Sequence, residues 1–207
     1  MENRIEVKSK KLPIMEAFYT IQGEGFHTGK AAFFIRIAGC DVGCHWCDVK
    51  ESWPLEGHPE YRVEELVEMA LSYPSRLVII TGGEPFLHDM MDLTDGLRNV
   101  GFQVHVETAG VYPLSGTWDW ICLSPKKFVP ARDEYFDHAH EIKVIIYNKS
   151  DIEWLKTFSS KINSSSRCYL QPEWSKKDKM MSEIVEFVKD NPSWEISLQT
   201  HKYLQIP

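Results

Sequence analysis

The sequence predicts a parallel α/β domain built as a partial barrel of about six strand–helix units, with a doubly wound sheet as the alternative. Three observations lead there. The chain has 207 residues, which suits one domain over residues 1–207 rather than two. Short apolar runs alternate with segments of helical period, the mark of β/α units. The length falls short of the roughly 250 residues of a full eight-unit barrel.

The strand-like runs are Phe33–Ala38, Leu77–Thr81, Gln103–Thr108, Trp120–Ser124, Ile142–Tyr147, Tyr169–Gln171 and Ile196–Gln199. Several are nearly continuous in apolar residues, as expected of strands covered on both faces. Between them, Val63–Leu71 places Val63, Leu66, Val67, Ala70 and Leu71 on one helical face, and Met91–Val100, Ile152–Ile162 and Ile184–Val188 are similar. Asn163–Ser166 reads as a loop, and Lys8, Lys10 and Lys11 as a solvated arm. In a parallel sheet the site lies at the carboxyl ends of the strands. Gly39-Cys40, Thr81 to Pro85, Glu107-Thr108, Ser124-Pro125-Lys126 and Gln171-Pro172-Glu173 all follow or end strand runs. Packing alone does not account for glycine, proline and polar residues at five such places.

Composition narrows the classes. Hydrophobic residues at 43% and charged residues at 26% are a globular balance, which excludes a disordered or collagenous chain. A net charge of −7 argues against duplex nucleic acid as the main partner. No apolar run approaches the roughly 18 residues of a membrane span. The charged N-terminus MENRIEVKSKKLP has no apolar core and is not a secretory signal. The expectation is a cytoplasmic, reducing setting, where five cysteines are free, catalytic or metal-binding rather than paired.

Cys40, Cys44 and Cys47 form C-x3-C-x2-C on a loop, while Cys122 and Cys168 lie far away beside strand runs. A closed zinc or iron–sulfur site takes four such ligands, and only three are local. A structural zinc would need His45 or a distant residue. A dithiol redox pair, Cys44 and Cys47, leaves Cys40 without a role. An iron–sulfur cluster with one iron open to another ligand accounts for all three.

This spacing resembles the radical S-adenosylmethionine (SAM) superfamily. A second motif supports it: Gly82-Gly83-Glu84-Pro85 follows a strand run about 35 residues on. Phe18-Tyr19-Thr20-Ile21-Gln22-Gly23-Glu24-Gly25 and Phe34 to Cys40 stand upstream, and Gln199-Thr200-His201-Lys202 to Pro207 close the chain. With Glu107-Thr108, Ser124-Pro125-Lys126 and Gln171-Pro172, these segments resemble the QueE family, the 7-carboxy-7-deazaguanine synthases, along essentially the whole chain.

The resemblance implies the partial parallel β/α barrel of the radical SAM type and one reaction: ring contraction of 6-carboxy-5,6,7,8-tetrahydropterin to 7-carboxy-7-deazaguanine with loss of ammonia, a step toward queuosine and related 7-deazapurines. It implies a lyase whose [4Fe–4S] cluster, reduced by an external donor such as flavodoxin, cleaves SAM to a radical that takes a hydrogen from the pterin. By the same resemblance, Cys40, Cys44 and Cys47 hold the cluster. Trp46, Cys47, Asp48, Gly83, Ser124, Pro125, Lys126, Gln171, Pro172, Glu173 and Trp174 hold SAM. Ile21, Gln22, Gly23, Arg36, Thr81 and Pro207 hold the substrate, with the Arg36 guanidinium suited to its carboxylate. Homodimerisation, without nucleic acid or membrane, is also implied.

Two positions depart from the family pattern. Val49 stands where the family has a Thr or Ser hydroxyl on Mg2+, and valine offers a hard cation no oxygen. The expectation is that Mg2+ is dispensable, or held mainly by Asp48, substrate and water. Ala109 stands where Asn is frequent, with a small effect expected on the SAM side. Plainer readings accompany the others: Arg36 as a salt-bridged strand residue, Gln22 and Glu24 as a turn, Lys126 as solvated, His201 and Lys202 as a frayed tail. The rival functions are a glycyl-radical-enzyme activase and a zinc-binding interaction domain.

Overall fold

The computed structural model describes residues 10–207, so Lys8 and most of the N-terminal segment lie outside the described residues. In chain order the elements are β1 (Lys11–Ile21), β2 (Ala31–Ile37), β3 (Glu60–Arg62), α1 (Val63–Leu71), β4 (Leu77–Gly82), α2 (Met91–Asn99), β5 (Gln103–Thr108), β6 (Trp120–Leu123), α3 (Glu134–His138), β7 (Glu141–Ile146), α4 (Lys149–Leu155), β8 (Arg167–Pro172), α5 (Lys177–Asp190), β9 (Trp194–Ile196) and α6 (Thr200–Leu204). They form one nine-stranded sheet in the order β3-β1-β2-β4-β5-β6-β7-β8-β9. From β2 to β9 every neighbouring pair is parallel, while β1 runs antiparallel to β2 and β3. The curved α/β sheet is the expected partial barrel, with an antiparallel border added to it.

Along each parallel strand the two faces differ in chemistry (side chains alternate sides). Phe33, Ile35 and Ile37 of β2, Val78 and Ile80 of β4, Val104 and Val106 of β5, and Ile142, Val144 and Ile146 of β7 join the main core with Leu66, Leu93, Leu97 and Ile184 of the helices. Each such aliphatic side chain, fully buried, contributes roughly 1.5–3 kcal/mol. The opposite face of the same strands carries Arg36, Thr81, Glu107, Lys143 and Gln171, all of which border one cavity. Low on this inner face a small second cluster of Ala32, Phe34, Leu77 and Ile79 packs with Phe18.

Three elements differ from the sequence expectation. Lys11 opens β1 rather than a free arm, and Lys10 Nζ donates to the Asp89 carbonyl at 2.8 Å. The helix expected over Ile152–Ile162 stops at Leu155, and a separate 3-10 turn follows at Ser159–Lys161. The Thr157 hydroxyl bonds back to the Trp154 carbonyl at 2.7 Å, the local competition that ends helices. The last strand is Trp194–Ile196, because Ser197 turns inward to donate to Gln171 Oε1 at 2.7 Å. Strands β5 and β6 are joined without a helix.

The connection from β1 to β2 enters the barrel. Its upper part, Gln22 to Glu24, borders the cavity. Its lower part reaches the opposite end, where Phe26 stacks on Trp120 at 5.1 Å and its N–H donates to Glu141 Oε2 at 3.2 Å. Arg167 lies over the Phe26 ring at 4.9 Å. Trp120, Glu141 and Arg167 are the first residues of β6, β7 and β8, so Phe26 closes the amino end of the barrel.

Candidate active site

A cavity of about 280 Å³ lies at the carboxyl ends of the parallel strands. Cys40, Cys44 and Cys47 border it, unpaired and half-buried. Burial raises the Cys40 thiol to about 11, and the carboxylate of Glu84 adds to the effect. Burial also raises the Cys44 thiol, against the opposing charge of Lys126. Thiols held this far from ionisation in the bare protein deprotonate on binding a cationic centre, which couples metal uptake to proton release.

The two motifs of the sequence are one structural unit. Gly83 N–H donates to the Ile37 carbonyl and Glu84 N–H to the Gly39 carbonyl, each at 2.8 Å. A Cβ on Gly83 would stand 2.0 Å from the Gly39 oxygen, so only glycine lets the loop lie against the start of the cysteine segment. The fully buried Glu84 side chain fixes the same loop to the end of β5. It accepts from Thr108 Oγ1 at 2.5 Å, Ala109 N–H at 2.8 Å and Phe86 N–H at 3.3 Å. Burial nonetheless shifts its pKa upward.

A polar chain crosses the cavity floor. Lys143 Nζ, from the middle of β7, donates to Glu24 Oε2 at 2.5 Å and Glu107 Oε2 at 3.1 Å. Glu107 also accepts from Gln22 Nε2 at 2.8 Å, and Glu24 from Gln199 Nε2 at 2.9 Å. Gln199 reaches Asp48 Oδ2 at 3.2 Å, and Lys202 Nζ reaches the same oxygen at 2.7 Å. Burial opposes ionisation of Glu24, but the charge and hydrogen bond of Lys143 outweigh it and lower the carboxyl to about 2. Burial likewise opposes ionisation of Asp48, where Lys202 again prevails and the pKa falls.

Most residues expected in the site do border the cavity: Ile21, Gln22, Gly23, Arg36, Trp46, Asp48, Thr81, Gly83, Ser124, Lys126, Gln171, Glu173, Trp174 and Pro207. Pro125 and Pro172 do not border it; Pro172 is the last residue of β8, in register with Ile146, and Pro125 lies two residues beyond the end of β6. Arg36 Nε pairs with Glu16 at 2.6 Å, as its plainer reading expected, and the residue also borders the cavity, opposite Thr81 in register. Lys126 is not merely solvated, for its Nζ donates to Ser124 Oγ at 2.7 Å. His201 and Lys202 are no frayed tail: α6 packs His201 against Gly23. Sequence reasoning put Glu107 at the site edge without giving it a role, and missed Lys143 and Gln199 as site residues. Lys143 carried a signal, an ammonium within the run Glu141–Ile146 that a buried strand retains only when paired.

The donor set fits an iron–sulfur cluster and SAM. Three soft thiols, Cys40, Cys44 and Cys47, border the same cavity. The position expected to hold Mg2+ does not fit that ion. Val49 borders the cavity without an oxygen to offer, and the Asp48 carboxylate is already engaged by Lys202 and Gln199.

Comparison with known proteins agrees with this geometry. Residues 34–126 match the model of the radical SAM superfamily. The chain is 54% identical over 200 residues to a 7-carboxy-7-deazaguanine synthase of Flavobacterium psychrophilum, covering 97% of this chain and 95% of that protein. It is 44% identical over 201 residues to the enzyme of that name from Synechocystis, covering 97% and 96%. The crystal structure of QueE from Escherichia coli superposes with a TM-score of 0.82 at 32% identity, covering 91% of this chain and 94% of that one.

Proposed function

The chain belongs to the 7-carboxy-7-deazaguanine synthase family of radical SAM enzymes, and from that membership we infer how its cavity contracts the ring of 6-carboxy-5,6,7,8-tetrahydropterin to 7-carboxy-7-deazaguanine with loss of ammonia. When bound, the [4Fe–4S] cluster and SAM supply the radical that opens the reaction. The chain's own residues bind, orient and enclose. Cys40, Cys44 and Cys47 hold the cluster, and Gly83, Ser124, Lys126, Gln171, Glu173 and Trp174 hold SAM beside it. Arg36 binds the substrate carboxylate through a charge-assisted pair. Gln22, the backbone of Ile21 and Gly23, and Thr81 hold the pterin, with Pro207 against its far side. Lys143 keeps Glu24 ionised and donates to Glu107, so that both stand as fixed acceptors around that edge. Mg2+ has no part in this reading, which rests on Val49 and on the Lys202–Asp48 pair.

One observation carries the proposal: the three thiols, the Gly83 loop and the Arg36–Thr81 pair border one cavity. Among the described residues no helix is long and apolar enough to cross a membrane. The family resemblance is what supports a single functional domain, a homodimer, a cytoplasmic setting and a donor such as flavodoxin. The test is an anaerobic assay of reconstituted protein with the carboxylated pterin, SAM and dithionite. Appearance of the deazaguanine chromophore with one ammonia per product is expected. Deoxyadenosine without either product would overturn it.

A further inference from the structure

Glu16 of β1 and Arg36 of β2 stand opposite one another, and an irregularity in the ladder puts them there. The antiparallel register runs from Phe18 and Phe34 through Ala17 and Ile35 to Glu16 and Arg36, then passes over Met15 so that Ile14 opposes Ile37. A regular ladder begun at Ile14 and Ile37 would bring Met15 to Arg36 and Glu16 to Ile35, a residue of the main core. The extra residue makes a β-bulge, a device that re-aims side chains beside active sites. Here it leaves Ile14 in the core and pairs the Glu16 carboxylate with the guanidinium.

The contact selects one edge of the arginine. Arg36 Nε donates to Glu16 Oε1 at 2.6 Å, and the guanidinium carbon lies 5.7 Å from the centre of the Phe18 ring, which stacks on Phe34 at 5.4 Å. Phe18, Phe34 and Arg36 border the cavity, whereas Glu16 does not. A guanidinium carries five N–H donors, one on Nε and four on the terminal nitrogens. Glu16 takes the first, and among the described residues no side chain or carbonyl takes the other four. What remains is an end-on fork, a shape that accepts both oxygens of a carboxylate. The Glu16 side chain is 43% exposed against 17% for Arg36. An ion pair with so wet a partner adds little to folding, so its consequence lies in the orientation of the arginine.

We propose that Glu16 is a positioning residue that selects for the carboxylated pterin: it holds Arg36 by Nε so that the terminal nitrogens meet the 6-carboxylate. The proposal rests on the reading above that Arg36 binds that group. A free arginine side chain surrenders many rotamers when it engages a ligand, and one anchored beforehand surrenders fewer, which strengthens binding. Because Glu16 stands outside the cavity lining, the gain reaches only those ligands that Arg36 itself grips. A pterin without the carboxylate gains nothing from it.

The test measures steady-state kinetics of the reconstituted holoenzyme with 6-carboxy-5,6,7,8-tetrahydropterin, and competitive inhibition by tetrahydropterin, which has no carboxylate. The variants are Glu16→Ala, Glu16→Gln and Arg36→Met, each checked for iron content and melting temperature. Glu16→Ala should raise KM roughly five- to tenfold, the equivalent of ordering one long side chain, with kcat within about twofold of the parent. Glu16→Gln should restore most of the lost affinity, because its amide oxygen accepts the same N–H. The inhibition constant of tetrahydropterin should be the same in the parent and both Glu16 variants. An unchanged or lowered KM in Glu16→Ala overturns the proposal, the lowered value by showing that Glu16 competes with the substrate. So does an equal weakening of the inhibitor, which would mean that Glu16 shapes the cavity as a whole. A parent-like KM in Arg36→Met overturns the reading of Arg36 itself, a separate outcome.

Discussion

Thr200 donates twice to a single oxygen, the carbonyl of Gly23, through its backbone N–H and its hydroxyl at 2.9 Å each. The first residue of the last helix thereby fixes the loop that borders the substrate end of the cavity. A hydroxyl-to-carbonyl bond of this kind is worth about 1 kcal/mol. Thr200→Val should therefore raise KM for the pterin roughly fivefold and leave kcat nearly unchanged. Steady-state kinetics with saturating SAM checks this, and an unaltered KM would show that the helix does not position the loop.

Lys143 stands between two carboxylates in the interior. Removing one partner from a buried ion pair costs about 3–5 kcal/mol because the remaining charge is left without compensation. Lys143→Met should lose stability of that order in urea unfolding. Combining it with Glu24→Gln should recover part of the loss, since one stranded charge is then gone. If the single substitution leaves stability unchanged, the pair is not the constraint described.

The same network sets an acid limit. The Glu24 carboxyl is lowered from 4.5 to about 2 in the folded protein. A depressed carboxyl contributes stability that is fully present above its unfolded pKa and is lost as pH falls through the folded one. Stability should decline between about pH 4.5 and pH 2, and Glu24→Gln should flatten that part of the profile. Urea titrations across this window would reveal a parallel decline in both proteins if Glu24 were not responsible.

Gly83→Ala places a methyl group where the Gly39 carbonyl already lies. The loop and the cysteine segment must separate, at a cost of about 1–3 kcal/mol for such overpacking. Affinity for SAM should weaken roughly tenfold or more, while iron content falls less. Equilibrium dialysis with labelled SAM measures the first and iron analysis the second. Unchanged SAM affinity would mean that the close approach is incidental.

Turnover by this enzyme should change by less than about twofold after exhaustive chelation of Mg2+, since no side-chain oxygen stands at position 49. Val49→Thr should introduce a response to added Mg2+. A strict requirement in the parent enzyme would show that Asp48, substrate and water suffice to hold the ion despite Lys202.

Much of this was legible in the sequence, for reasons that particular residues make plain. The cysteine triad and the Gly82 to Pro85 loop were legible because close backbone approach and soft-ligand spacing restrict residue type. The parallel strands were legible from their apolar runs. The inner face was not read from those runs. In Glu141–Ile146 the acidic and basic residues at alternate positions face the interior while Ile142, Val144 and Ile146 face the helices. Taken as a uniformly apolar stretch, the strand conceals its ammonium. The β1 strand was hidden for a related reason, its residues being only partly covered and mixed in character. The role of Gln199 depends on contacts with Glu24 and Asp48, more than 150 positions away, and no local pattern announces it.

The stopper formed by Phe26 on Trp120, braced by Glu141 and overlain by Arg167, leaves the barrel with a floor. With that end covered, the pterin reaches its place from the carboxyl end, past His201 and Lys202 of the last helix, which border the cavity.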